Sequence, residues 1–266
     1  METVTFPEIG LNLKISSVAI TIADKIEIYW YAIFIVTGMI LALLVARKRC
    51  KLFSIEFEQI IDLMIWLIPI CIIGARIYYI FFNLDFYLAK PSRMLNFRSG
   101  GLAIYGGIIA GIITCYIYCK KKNINFLNLL DLIAPCLAIG QSIGRWGNFT
   151  NIEAYGTQTN LPWRMGIIEA GKYIEVHPTF LYESILTAII FLILILIKDK
   201  RKFKGQLACI YLLLYSVERF IVEGLRTDSL MIGNIRVSQL VSIIIFLITI
   251  VVVWKLSKQK DKSNKN

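Results

Sequence analysis

The stretch GQSIGRWGNFTNIEAYG, Gly140 to Gly156, follows without a break from the apolar run at 126–139. In a water-soluble chain such a mixture of Gly, Asn, Arg and Glu would be a surface loop, since it has no apolar face to bury. Its surroundings point elsewhere. Of the 266 residues 57% are hydrophobic, and mean hydropathy is +0.67, against about 45–50% apolar in an ordinary soluble domain. The excess falls into seven blocks, 28–46, 59–82, 102–119, 126–144, 180–197, 206–223 and 235–254, each of the roughly 17–25 residues that cross a bilayer as a helix. Strands of a membrane barrel would alternate apolar and polar residues over about ten positions, and these blocks do not. The sequence predicts an all-α integral membrane protein, with seven transmembrane helices in one multi-pass domain, 1–266.

The net charge is +11, and its placement rules out a nucleic-acid surface. The excess lies in RKRCK (47–51), KKK (120–122), KDKRKFK (198–204) and the tail at 255–266. These clusters follow spans one, three, five and seven, always on the same side. Cytoplasmic loops carry such an excess, so the C-terminus is expected inside and the N-terminus outside. A nucleic-acid partner would need the charges on one folded face. The first 25 residues hold Glu2, Glu8 and Asp24 and no basic region before an apolar core, so no cleavable signal peptide is predicted. Six cysteines, Cys50, Cys71, Cys115, Cys119, Cys136 and Cys209, lie within spans or at their inner ends with no CxxC pair, as small apolar packing residues would.

This topology places 1–27, 83–101, 145–179 and 224–234 outside. The segment 145–179 carries Pro162, Trp163, Gly166, Gly171 and Pro178 among apolar patches and is expected to fold as a small external cap. No duplicated half of transporter type is visible.

Ionisable residues at membrane depth are costly and tend to mark function. Asp62 and Asp131 fall near inner ends, where a structural role is adequate. The rest gather near outer ends: Arg76 in span two, Arg145 after span four, Glu183 in span five, and Glu218, Arg219, Glu223 and Arg226 along span six. Arg219, Glu223 and Arg226 stand at i, i+4 and i+7, on one helical face. Arginines at headgroup depth suit a phosphate, because guanidinium donates in a planar fork and stays charged when partly desolvated. Phosphates permanently present at that depth belong to phospholipids. Glu153, Glu183 and His177 are candidates for acid–base work or for orienting the arginines. With one histidine in the chain and no HExxH, no metal is expected. No GxGxxG after a strand and no P-loop support a nucleotide. These residues reach an outward-facing lipid-headgroup site and leave open an enzyme, a non-catalytic phospholipid-binding protein or a transporter. A transporter would also need a polar path to the inner face, where the ionisable residues are few.

The run GRWGNFTNIEAYG resembles the signature of the prolipoprotein diacylglyceryl transferase family, G-R-x-G-N-F-x-N-x-E-x-x-G, at Gly144, Arg145, Gly147, Asn148, Phe149, Asn151, Glu153 and Gly156. Trp30-Tyr31, Gly74-Ala75-Arg76 with Tyr78-Tyr79, Asp131 with Ala134-Pro135, His177-Pro178-Thr179 with Leu181-Tyr182-Glu183, and Arg219-Phe220 with Glu223 through Arg226 to Asp228 resemble its other motifs. The resemblance implies a bacterial cytoplasmic-membrane enzyme of lipoprotein biosynthesis, with its active site toward the outer leaflet and no cofactor. It would move the diacylglyceryl group of phosphatidylglycerol onto the lipobox cysteine of a prolipoprotein signal peptide, forming a thioether and releasing glycerol-1-phosphate. On that resemblance Arg145, Asn148, Glu153 and Gly156 bind phosphatidylglycerol, and Arg226, Tyr105 and Tyr31 serve the chemistry. Glu183, His177, Arg219, Glu223 and Arg76 support them. One position departs from the family: many members carry His-Gly-Gly where this chain has Tyr105-Gly106-Gly107. Tyrosine, with a reference pKa near 10, is a poor base at neutral pH. The base is then Glu153 or His177, or Tyr105 is a hydrogen-bond donor, or the arginines alone ionise the thiol.

Overall fold

The computed structural model describes residues 2–23, 26–96 and 100–263. Asp24, the end of the basic tail at 264–266 and the side chains of Glu2 and of 259–263 lie outside the described residues. Elements run β1 (Glu2–Phe6), β2 (Leu11–Ile15), β3 (Val18–Ile22), β4 (Ile26–Tyr29), α1 (Trp30–Arg49), α2 (Phe57–Phe81), α3 (Leu84–Leu88) and α4 (Ile104–Lys122). They continue with α5 (Phe126–Asn151), β5 (Met165–Glu169), β6 (Lys172–Val176), α6 (Thr179–Leu196), α7 (Gln206–Leu225), β7 (Met231–Ile232), β8 (Ile235–Arg236) and α8 (Val237–Ser263).

A long helix stands over each of the seven apolar blocks. Five of the helical segments, Trp30–Phe53, Phe57–Phe81, Phe126–Asn151, Thr179–Leu196 and Val237–Lys258, are long and apolar enough to cross a membrane by themselves. Helix α7 carries Glu218, Arg219 and Glu223, and α4 ends in three lysines. Helices α1 and α4 both finish on basic residues, where the negative end of the helix dipole favours them.

The all-α expectation needs correction, because the chain is mostly helical and not wholly so. A four-stranded antiparallel sheet of order β2-β1-β5-β6 joins the N-terminal arm to the segment at 165–176. Strands β5 and β6 form a tight hairpin with Glu169 opposite Lys172. Its two loop residues, Ala170 (φ 49) and Gly171 (φ 79), both adopt positive φ, as a type I′ turn requires. Val4, Ile15, Met165, Ile167 and Val176 bury one face of the sheet against Phe180 at the start of α6. Phe149 stacks on Phe180 with ring centroids 4.5 Å apart. The sheet thereby sits on the ends of α5 and α6. Its strands alternate too briefly to stand out beside the long apolar blocks.

Two compact units emerge, Met1–Ala46 with Leu130–Asn266, and Arg47–Leu129. In the first, Gly38 of α1 meets Gly140 of α5 closely enough that a Cβ on Gly38 would lie 3.2 Å from the Gly140 carbonyl oxygen. Small residues permit such approach between membrane helices. Helices α5 and α6 are tied by Ser142 and Ser184, each donating its hydroxyl to the other's carbonyl, at 2.8 and 2.9 Å. The carboxylate of Asp131 accepts from the backbone N–H groups of Gly205 and Ala208 and from Arg201, which anchors the start of α7 at its positive end. In the second unit α2 and α4 run antiparallel, with Gly74 opposite Gly106 and Tyr118 donating to the Gln59 carbonyl.

Candidate active site

The signature run is helical as far as Asn151, beyond the expected end of span four at residue 144. Helix α5 continues through Arg145 and Asn148 to Asn151, so Arg145 lies inside the helix and not after it. No proline interrupts the run from Gly140 to Asn151, and Thr150 satisfies its hydroxyl on the Gly147 carbonyl. The helix then stops abruptly, with Ile152 at φ 50 and Ala154 at φ 57. Positive φ is costly for a β-branched residue. Here it folds the chain back so that the Glu153 N–H donates to the Asn148 carbonyl. The Glu153 carboxylate then accepts from Asn148 at 2.9 Å and from Asn151 at 3.4 Å. Asn148 in turn accepts from Arg145 at 3.4 Å, so Arg145, Asn148, Glu153 and Asn151 form one chain of hydrogen bonds.

That chain ends on a hub. Glu183 of α6 is 2% exposed, and three guanidinium groups converge on it. Arg145 Nη2 lies 2.5 Å from Glu183 Oε2, Arg219 Nη1 is 3.6 Å from the same oxygen, and Arg226 Nη1 is 3.4 Å from Oε1. Arg219 also pairs with Glu223 at 2.6 Å. That contact is close enough for an ion pair, yet Glu223 Oε2 has no hydrogen bond, so the two groups are off the hydrogen-bond line and the attraction is mainly coulombic.

Arg226 reaches the hub by a different route from the expected helical spacing. Helix α7 ends at Leu225, and Arg226 is extended at φ −71 and ψ 148. Gly156 sets this position. Its N–H donates to the His177 carbonyl, Thr157 N–H donates to the Leu225 carbonyl, and Gly156 bridges Arg226 across a two-residue ladder. A Cβ on Gly156 would lie 2.7 Å from His177 Cβ and 3.1 Å from the Leu225 oxygen. Close approach, and not an unusual φ, is what requires glycine there. Arg226 also donates to both oxygens of Asp228, at 2.9 and 2.7 Å. That bidentate bond holds the Asp228 carboxyl below the usual carboxylate range. Arg236 closes the end of α7 by donating to the Glu223 and Arg226 carbonyls.

Tyr31 lies against the same helix, and a Cβ on Gly147 would meet Tyr31 Cδ2 at 2.5 Å. His177 is framed by backbone pairing, and its Nδ1 lies 3.2 Å from the Tyr182 hydroxyl. Trp163 Nε1 donates to that hydroxyl oxygen at 2.7 Å, and the imidazole tautomer sets which of Tyr182 and His177 donates to the other. Partial burial lowers the His177 pKa, which favours the neutral imidazole.

Two expected site residues, Arg76 and Tyr105, belong to the second unit. Arg76 is 2% exposed and donates to the carbonyls of Arg93, Met94, Asn96, Gly100 and Gly101. It organises the loop after α3. Tyr105 opens α4 and is partly buried. Among the described residues, no three His, Cys, Asp or Glu side chains group closely enough to hold a metal ion.

Sequence reasoning gave no role to Asp228, Arg236 or Glu218. Asp228 lies between the sixth and seventh blocks, where spacing carries no signal, and Arg236 stands at the very start of the seventh, with no partner marked by spacing. Glu218 stood out as a charge in a span but offered no partner by spacing.

The family model for prolipoprotein diacylglyceryl transferase matches residues 17–255. A protein of Finegoldia magna named phosphatidylglycerol–prolipoprotein diacylglyceryl transferase is 51% identical over 240 residues, covering 90% of this chain and 95% of that protein. Proteins of the same name from Clostridioides difficile and Bacillus cereus are 48% and 40% identical, covering 90% and 88% of this chain and 94% and 91% of their own lengths.

Proposed function

This chain belongs to the prolipoprotein diacylglyceryl transferase family, and on that premise we propose that it is a transferase moving the diacylglyceryl group of phosphatidylglycerol to a prolipoprotein. The acceptor is the thiol of the lipobox cysteine in the signal peptide, the product is a thioether, and glycerol-1-phosphate leaves. The observation that carries this reading is the convergence of Arg145, Arg219 and Arg226 on Glu183 beside the signature run.

The chemistry follows from charge. Sulfur attacks the glyceryl carbon, the carbon–oxygen bond to phosphate breaks, and the departing phosphate gains negative charge. Guanidinium groups already fixed in place stabilise that charge without reorganising. Glu183 keeps three cations close together that would otherwise repel. In this reading Arg145 and Arg226 hold the phosphate, with Asn148, Glu153 and Gly156 shaping the headgroup site and Tyr31 beside it. Arg219, Glu223 and Glu183 set the arginines, and His177 braces the backbone around Gly156. Arg76 is assigned to its loop. Tyr105 is carried by the resemblance alone, as a hydrogen-bond donor.

The chain crosses the bacterial cytoplasmic membrane seven times, with its N-terminus outside, its basic tail inside and its site toward the outer leaflet. Helices α4 and α7 over the two remaining apolar blocks support seven crossings, and basic residues at the ends of α1 and α4 support the orientation. The sheet on α5 and α6 is then the external cap, built from the N-terminal arm as well as from 165–176.

The test supplies phosphatidylglycerol and a lipobox peptide to the purified protein. The peptide should gain the mass of a diacylglyceryl group, and glycerol phosphate should be released in equal amount. No product from the parent, with Arg145→Ala indistinguishable from it, overturns the reading.

A further inference from the structure

Each turnover of the transfer proposed above frees one thiol proton, and a group must take it. A general base is weakened by every cation and hydrogen-bond donor that already stabilises its charged or acceptor form. Most candidates around the arginines carry such partners. Glu183 is gripped by three guanidinium groups, and Asp228 accepts twice from Arg226. Glu153 accepts from Asn148 and Asn151 on one oxygen, Oε1, and Glu223, although its Oε2 has no hydrogen bond, is neutralised by Arg219 at 2.6 Å. His177 Nδ1 is occupied by Tyr182.

Glu218 differs from all of these. It is 4% exposed, both carboxylate oxygens are buried, and neither has a hydrogen-bond partner. The charged groups that act on it are Glu183, Arg145 and Arg219. Tyr215 and Tyr211, one and two turns back along α7, feel its charge in return. It therefore belongs to the arginine cluster and, among the described residues, is the carboxylate there with neither oxygen hydrogen-bonded and no ion pair within 4.0 Å. A buried polar group without a partner costs free energy, and a donor arriving with the substrate removes that cost.

We propose that Glu218 is the general base of the transfer, accepting the proton of the lipobox cysteine thiol. As the sulfur–carbon bond forms, the sulfur–hydrogen pair stays on sulfur and the proton passes to a Glu218 oxygen. The carbon–oxygen bond breaks with its electron pair on the phosphate oxygen. Glu218, now a neutral acid, returns the proton to the released glycerol phosphate and is reset. Glu218 thus supplies the function that Tyr105, standing where many members carry histidine, is poorly suited to perform.

The test compares two lipobox peptides that differ in one atom, a cysteine thiol and a selenocysteine selenol, with full-length protein and phosphatidylglycerol. A selenol is ionised at neutral pH and needs no base. Glu218→Gln should slow the thiol reaction by about 10²-fold or more and the selenol reaction by less than about tenfold. Equal slowing of both, or an unslowed thiol reaction, overturns the proposal. Should Glu218→Gln fail to fold, Glu218→Asp, which keeps the acid one methylene further back, should widen the gap between selenol and thiol rates relative to the parent. An unchanged ratio counts against the proposal. If the parent transfers to neither peptide, the fault lies with the transfer reaction itself and not with Glu218.

Discussion

Glu183 Oε2 lies 2.5 Å from Arg145 Nη2, and the Glu183 carboxylate also meets Arg219 and Arg226. One buried anion on α6 therefore fixes cations from α5, from α7 and from the extended residue after α7. Removing one partner of a buried ion pair leaves uncompensated charge, at a cost of about 3–5 kcal/mol. Glu183→Gln keeps the shape and removes the charge, so it should lower stability by about that amount. Transfer should fall with it, because the arginines repel once their anion is gone. Unfolding in detergent, followed beside product formation, checks both effects.

Two glycines of the signature run should behave in opposite ways. A Cβ on Gly156 would collide with His177 Cβ and crowd the Leu225 carbonyl, whereas a Cβ on Gly144 meets nothing within 4 Å. Gly156→Ala should cost about 1–3 kcal/mol as the ladder to Arg226 is forced apart, and transfer should drop. Gly144→Ala should unfold at the parent's temperature. If it also abolishes transfer, the open space beside Gly144 is needed by substrate. Thermal unfolding of the two variants separates these cases.

How much of this was legible in the sequence depends on the range of each signal. Segments of apolar composition need only local information, so a helix stands over each of the seven blocks. The sheet was missed because β1 and β5 lie about 160 residues apart in sequence and each is five residues long. Arg145, Glu183 and Arg226 were singled out as charges in a costly place, and the structure brings them together. Their manner of meeting was not foreseen. Arg145 sits within α5 because nothing breaks that helix before Ile152, and Arg226 lies past the end of α7, so an i+7 face does not describe it. Asp228, at the far end of its motif, pairs through the backbone turn after Leu225, which no periodicity encodes.

Tyr105→Phe tests the residue that departs from the family pattern. As a hydrogen-bond donor its hydroxyl contributes about 0.5–1.5 kcal/mol, roughly twofold to twelvefold in rate. The variant should lose activity within that range and keep the parent's pH profile, since no proton acceptor has been removed. Unaltered turnover overturns the donor role. A loss of several hundredfold with a displaced pH profile would instead mark Tyr105 as a base.

The Arg226–Asp228 pair should show itself in acid. The hydrogen bond from Arg226 holds the Asp228 carboxyl below its usual value of 3.8. A carboxyl with a depressed folded pKa binds protons less readily folded than unfolded, so it stabilises the protein above the unfolded value. That contribution shrinks as pH falls below 3.8 toward the folded pKa, where both states become protonated. Asp228→Asn has no such proton to bind. The parent should therefore be the more stable of the two near neutral pH, and the difference between them should narrow on acidification. Thermal unfolding of both proteins between about pH 3 and 6 reads this directly. A difference independent of pH over that span would mean that the Asp228 charge does not hold Arg226, and that the ladder from Gly156 alone sets the arginine's position.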